Sequence, residues 1–88
     1  MEEWYMISKL TGLIDSTYDH SVVIDVNGVG YSILCSQKTL SKLGKIGETA
    51  TLFTEMIVRE DFMQLYGFKT GEEREWLRLF LSVQGVGM

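Results

Sequence analysis

The chain has no proline, one cysteine (Cys35) and one histidine (His20) in 88 residues. A lone thiol excludes an intrachain disulfide, and no CxxC pair is present to hold zinc. The expectation is therefore no metal, no cofactor and a reducing cytoplasm. No apolar run nears the roughly 20 residues that span a bilayer, so no membrane role is expected. Met1–Tyr5 has neither the basic start nor the apolar core of a signal peptide. Basic charge is also scarce: 8 Lys and Arg stand against 12 Asp and Glu, a net charge of -4. Affinity for nucleic acid comes largely from cations displacing counterions at phosphates, so this chain by itself is a poor DNA binder. A nucleophile–base pair and a phosphate-binding glycine loop are both missing, so an enzyme is not expected.

What is present is a small globular domain. Hydrophobic residues make up 45% and charged residues 23%. A domain of this size buries only about 60% of its unfolded surface, which leaves a thin margin of stability. Residues 6 to 68 read as short strands. The first runs from Met6 to Asp15, with Gly12 marking a bulge or bend. Tyr18-Asp19-His20 is a turn. Ser21–Val26 alternates, with Val22, Ile24 and Val26 on one face. Asn27-Gly28 follows, the strongest short hairpin signal, because both residues tolerate the positive φ of a type I′ turn. Val29–Cys35 returns with Val29, Tyr31, Ile33 and Cys35 on one face.

Ser36–Leu43 reads as a short helix, capped by Ser36 and stopped by Gly44. After a loop at Lys45–Glu48, a long strand covers Thr49–Arg59. Glu60-Asp61 makes a tight acidic turn into a last strand, Phe62–Phe68. Five strands with a helix between the third and fourth is the order of an OB-fold, a five-stranded Greek-key barrel. Periodicity alone leaves an SH3-like barrel open. Thr70-Gly71-Glu72-Glu73 has the spacing of a capping box and starts a helix near Glu72. Trp76, Leu77, Phe80 and Val83 form its apolar stripe, expected to dock on the barrel or drive self-association. Gly85 ends it. The fold expected is all-β, an OB-type barrel followed by one C-terminal helix.

Four segments together resemble the RuvA family of Holliday-junction-binding proteins. They are Met6-Ile7-Ser8-Lys9-Leu10-Thr11-Gly12, then Val26-Asn27-Gly28-Val29-Gly30-Tyr31. Val58-Arg59-Glu60-Asp61 with Gln64-Leu65-Tyr66-Gly67-Phe68 is the third, and Glu73-Arg74 through Gly85-Val86-Gly87 the fourth. Each is weak alone; their order and spacing carry the resemblance. It implies a homo-tetramer that holds a four-way DNA junction open for branch migration in recombination and repair. It implies an acidic pin at Glu60 and Asp61 near the junction centre. It also implies a DNA-binding hairpin at Gly85, Val86 and Gly87, and a RuvB motor bound through a domain absent here. By this reading residues 1–5 are an N-terminal addition, 6–69 the barrel, and 70–88 a helix and the start of a truncated helix-hairpin-helix domain.

Ser8 and Ser32 depart from the family pattern, and Met1–Tyr5 precedes its usual start. An alternative is therefore an engineered self-assembling or scaffold fragment with no DNA activity of its own. A third, an independent OB-type single-strand binder, lacks the interleaved aromatic and basic residues it needs. Lys9, Lys38, Lys42, Lys45 and Lys69 read as solubilising surface charges, His20 as solvent-exposed and Cys35 as an inert core thiol. Trp76 and Phe80 read as packing residues rather than a base-stacking platform.

Overall fold

The computed structural model describes the backbone of residues 7–84 and the side chains of residues 7–76 and Leu79. Five strands appear: β1 (Lys9–Thr17), β2 (Ser21–Val26), β3 (Val29–Leu34), β4 (Thr49–Arg59) and β5 (Phe62–Phe68). Helix α1 (Gln37–Ser41) lies between β3 and β4, and α2 (Gly71–Gln84) follows β5. The strands close into a barrel in the order β1-β2-β3-β5-β4, with β4 returning to β1. That order, with a helix after the third strand, is the OB-fold rather than the SH3-like alternative.

Strand β1 serves two neighbours. Its first half pairs with β4, from Lys9↔Phe53 to Leu13↔Thr49, and its second half with β2. The ladder with β2 slips between Ile14 and Ser16, so the bulge lies at Asp15 and not at Gly12. Gly12 has a different duty. A Cβ there would collide with the carbonyl oxygen of Asp25, so the close approach of β2 requires glycine. The bulge also explains why β1 runs on to Thr17, past the expected end at Asp15: the extra residue resets the alternation. Its first paired residue is Lys9, although Ser8 still accepts a hydrogen bond from the Thr54 amide at 2.9 Å. Met6 and Met1–Tyr5 lie outside the described residues.

The β2–β3 turn has the expected geometry. Asn27 sits at φ 54 and Gly28 at φ 91, and the Asp25 carboxylate accepts the Gly28 amide at 2.8 Å. The β3 ladder stops at Leu34, one residue early, but the Cys35 amide still donates to the His20 carbonyl at 2.9 Å. Helix α1 is shorter than Ser36–Leu43. Ser36 caps it by accepting the Thr39 amide at 3.1 Å, and Lys42 is already its C-cap. Leu43 is instead buried against the barrel end, and Gly44 turns away at φ 117.

Ile14, Val22, Ile24, Ile33 and Leu52 fill the barrel centre, each essentially without solvent contact. Such side chains contribute roughly 1.5–3 kcal/mol each by leaving water. Leu10, Cys35, Leu43, Ala50 and Leu65 complete the cluster. Two polar side chains are buried as well, Thr39 on α1 and Thr54 in the barrel. Thr54 is fully buried, and its hydroxyl donates to the Ile7 carbonyl at 2.6 Å, so its burial carries no unpaired group.

Candidate nucleic-acid interface

Glu60 and Asp61 are the two central residues of the β4–β5 hairpin, closed by the pair Arg59↔Phe62. Both are exposed, and neither adopts a positive φ. The strands that carry them outrun the barrel. Strand β1 pairs with β4 only as far as Phe53, and β3 pairs with β5 only at Leu65 and Tyr66. Beyond Met56↔Leu65, the ladder Ile57↔Gln64, Val58↔Met63 and Arg59↔Phe62 joins β4 and β5 to each other alone. The alternation that places Leu65 in the core would place Met63 there too, yet Met63 is 67% exposed and Val58 61%. The hairpin therefore stands out as a two-stranded ribbon with two carboxylates at its tip. Arg59, Glu60, Asp61 and Phe62 border a shallow depression there. Such a tip repels phosphates, while Val58, Phe62 and Met63 offer apolar surface just behind the charge.

The base of the same ribbon meets α2. Thr70 caps this helix by accepting the Glu73 amide at 3.2 Å. The return bond of the capping box falls one residue early: the Glu73 carboxylate accepts the Lys69 amide at 3.0 Å. This fixes the chain where it leaves β5. The helix begins at Gly71, and Glu72 and Glu73 in its first turn complement the positive end of the helix dipole. Of the two roles expected for its apolar stripe, Trp76 does not take docking on the barrel, since it is 71% exposed. The side chains of Leu77, Phe80 and Val83 lie outside the described residues. Among the described side chains, Arg74 reaches from α2 to the barrel, where its Nη1 donates to the Ser8 carbonyl at 2.8 Å.

The other sequence expectations divide cleanly. Gly85, Val86 and Gly87 lie outside the described residues, so no geometry attaches to that hairpin. Lys9, Lys38, Lys42 and Lys45 are exposed and Lys69 half-buried, and His20 is exposed. Cys35 is buried, and loss of water pushes its thiol up to about 11, opposed in part by a hydrogen bond from the Gly67 backbone. That suits an inert core residue. No group of acidic, His or Cys side chains able to hold a metal occurs among the described residues. No helix among them is long and apolar enough to cross a membrane.

Sequence reasoning missed Arg74 and the exposure of Val58, Phe62 and Met63. The signal for the second was local, because apolar residues directly flanking a two-residue acidic turn have little barrel left to cover them.

Comparison with known proteins bears on the same segments. Residues 6–67 match the family model described as the RuvA N terminal domain. The chain is 57% identical over 82 residues to proteins named Holliday junction branch migration complex subunit RuvA from Sinorhizobium medicae and Brucella canis. The same identity holds for the protein of that name from Brucella abortus. The alignments cover 93% of this chain and 40% of each relative, so the chain spans well under half the length of the curated relatives it matches.

Proposed function

The chain belongs to the RuvA N-terminal domain family, and from that premise we propose that it is the barrel domain of a non-catalytic subunit that binds four-way DNA junctions during branch migration. Residues 6–69 form that domain, and residues 70–88 begin the next. In this reading the domain works inside a homo-tetramer in the cytoplasm, and a separate RuvB-type ATPase supplies the motor. Phosphate binding is left mainly to hairpins beyond the barrel, of which Gly85-Val86-Gly87 is the first; glycine-rich turns can aim backbone amides at phosphates.

The observation that carries the reading is the exposed pair Glu60 and Asp61 at the tip of a ribbon that outruns its barrel. Carboxylates so placed lower affinity for any phosphate backbone brought against them. They lower it most where backbones crowd, so continuous duplex is excluded from the centre while separated strands can pass around the tip. The pair thus acts through discrimination against the wrong ligand.

The test replaces Glu60 and Asp61 with Gln, or with Lys, in the full-length subunit. Binding to a four-way junction and to plain duplex is then compared at two salt concentrations. Duplex affinity should rise, junction preference should fall, and both changes should shrink at high salt. Unchanged or weaker duplex binding by a folded variant would remove the pin from the proposal.

A further inference from the structure

Helix α2 shows the barrel little apolar surface among its described residues, since Trp76 is 71% and Leu79 54% exposed. Apolar packing by these two side chains therefore does not set the angle at which it leaves the barrel. Arg74 reaches across instead. Its Nη1 donates to the carbonyl of Ser8, 66 positions away in sequence, at 2.8 Å. The same carbonyl accepts the Thr54 amide at 2.9 Å, so both of its acceptor sites are engaged. The guanidinium lies over the Phe53 ring, 5.6 Å from its centre, a favourable cation–aromatic contact. One side chain on α2 thus holds both the entry to β1 and the middle of β4.

Two details separate this contact from a generic surface ion pair. The Arg74 side chain is only 18% exposed, whereas its acidic neighbour Glu75 is 60% exposed and stands 3.9 Å away, too loose to explain the placement. Also, Arg74 Nε is buried with no hydrogen-bond partner among the described residues. A buried donor without a partner costs stability, so the placement of this guanidinium rests on its Ser8 hydrogen bond and its Phe53 contact. The planar group can stack and donate in one pose, which a lysine ammonium cannot reproduce.

We infer that Arg74 is a positioning residue that fixes the axis of α2 against the barrel, and so against the Glu60–Asp61 ribbon built on the same β4. Its bearing on DNA rests on the function proposed above, in which α2 leads into the phosphate-gripping hairpins. Its structural content does not.

Backbone relaxation by NMR on the 88-residue chain tests the structural content. Amides of Glu72–Trp76 should have order parameters near those of the strands, about 0.85. In Arg74→Met they should fall below about 0.6 with the strand values unchanged. Arg74→Lys should fall between the two. Unchanged helix values in Arg74→Met would overturn the inference, as would an equal loosening of helix and strands. If Arg74→Met does not fold, Phe53→Leu decides: a loosened helix supports the inference and a rigid one overturns it. In the full-length subunit, Arg74→Met should cut junction-over-duplex preference about tenfold with duplex affinity little changed, whereas the Glu60/Asp61 variants lower that preference by raising duplex affinity. If only the Glu60/Asp61 variants alter DNA binding, the link from Arg74 to DNA is overturned and the pin stands. If the helix loosens and neither variant alters DNA binding, the pin and the link from Arg74 to DNA both fall while the fixing of α2 by Arg74 holds.

Discussion

Two hairpins of this barrel close on two-residue turns, Asn27-Gly28 between Val26 and Val29, and Glu60-Asp61 between Arg59 and Phe62. In the first, each residue answers a backbone need. Both positions take positive φ, matching the right-handed twist of the strands, and Asp25 satisfies the Gly28 amide. In the second, neither position takes positive φ, so neither residue answers the backbone need that Asn27-Gly28 meets. The flanking strands differ in the same way. Those of the first hairpin lie between β1 and β5 in the closed sheet, whereas those of the second leave the barrel before they turn. The first turn is set by its backbone geometry, while the second carries two exposed carboxylates at the tip of a projecting ribbon, and that makes it the candidate site.

The largest test of this contrast compares two residues of β5 on the same face. Leu65→Ala should cost about 2–5 kcal/mol, as buried Leu truncations do, whereas Met63→Ala should stay within about 0.5 kcal/mol. Urea unfolding of both variants measures the difference, and equal costs would mean that the ribbon is packed after all.

A second test addresses the seam where the hairpins meet, at Cys35 against Gly67. The folded thiol keeps its proton to about pH 11, while an exposed one releases it near 9.0. The folded state therefore holds the extra proton between those values. Its contribution is complete below about pH 9 and is lost as pH rises through 11. The stability difference between the wild type and Cys35→Ala, followed from pH 8 to 11, isolates this loss from tyrosine and lysine titration. A flat difference would place the thiol in contact with water.

Gly28→Val should cost about 1–2 kcal/mol, because a branched side chain resists the left-handed region. Denaturant midpoints would show it; a neutral result would mean that the first turn is not held in that geometry. The smallest effect belongs to grafting Asn-Gly in place of Glu60-Asp61. Stability should change by no more than about 0.5 kcal/mol. A thermal melt showing a substantial loss would reveal a structural duty for the acidic pair and weaken the contrast.

Much of this was readable from local patterns. Alternation gave β2 and the Asn27-Gly28 turn, and side-chain chemistry gave the caps at Ser36 and Thr70. The bulge at Asp15 was hidden because a single inserted residue leaves no mark of its own in an apolar–polar pattern. Arg74 was hidden because its partner is 66 positions away and is a backbone carbonyl, which carries no residue identity. The ribbon was hidden for a third reason. Met56 and Val58, like Leu65 and Met63, are equally apolar, and only the shorter reach of β1 and β3 decides which of them is covered.

The length of that ribbon has an electrical consequence. From Met56 to Glu60 the strand advances four residues, about 13 Å at the usual rise. The Debye length at physiological ionic strength is about 8 Å. The tip therefore stands more than one screening length from the barrel's rim, and the excess of acid spread over the rest of the domain is largely invisible there. Apart from Arg59 beside it, the potential that a ligand meets at the tip is set by Glu60 and Asp61 themselves. Charge elsewhere on the barrel can drift with little effect on what happens at that point, which leaves the two carboxylates as a locally controlled field on an otherwise ordinary acidic surface.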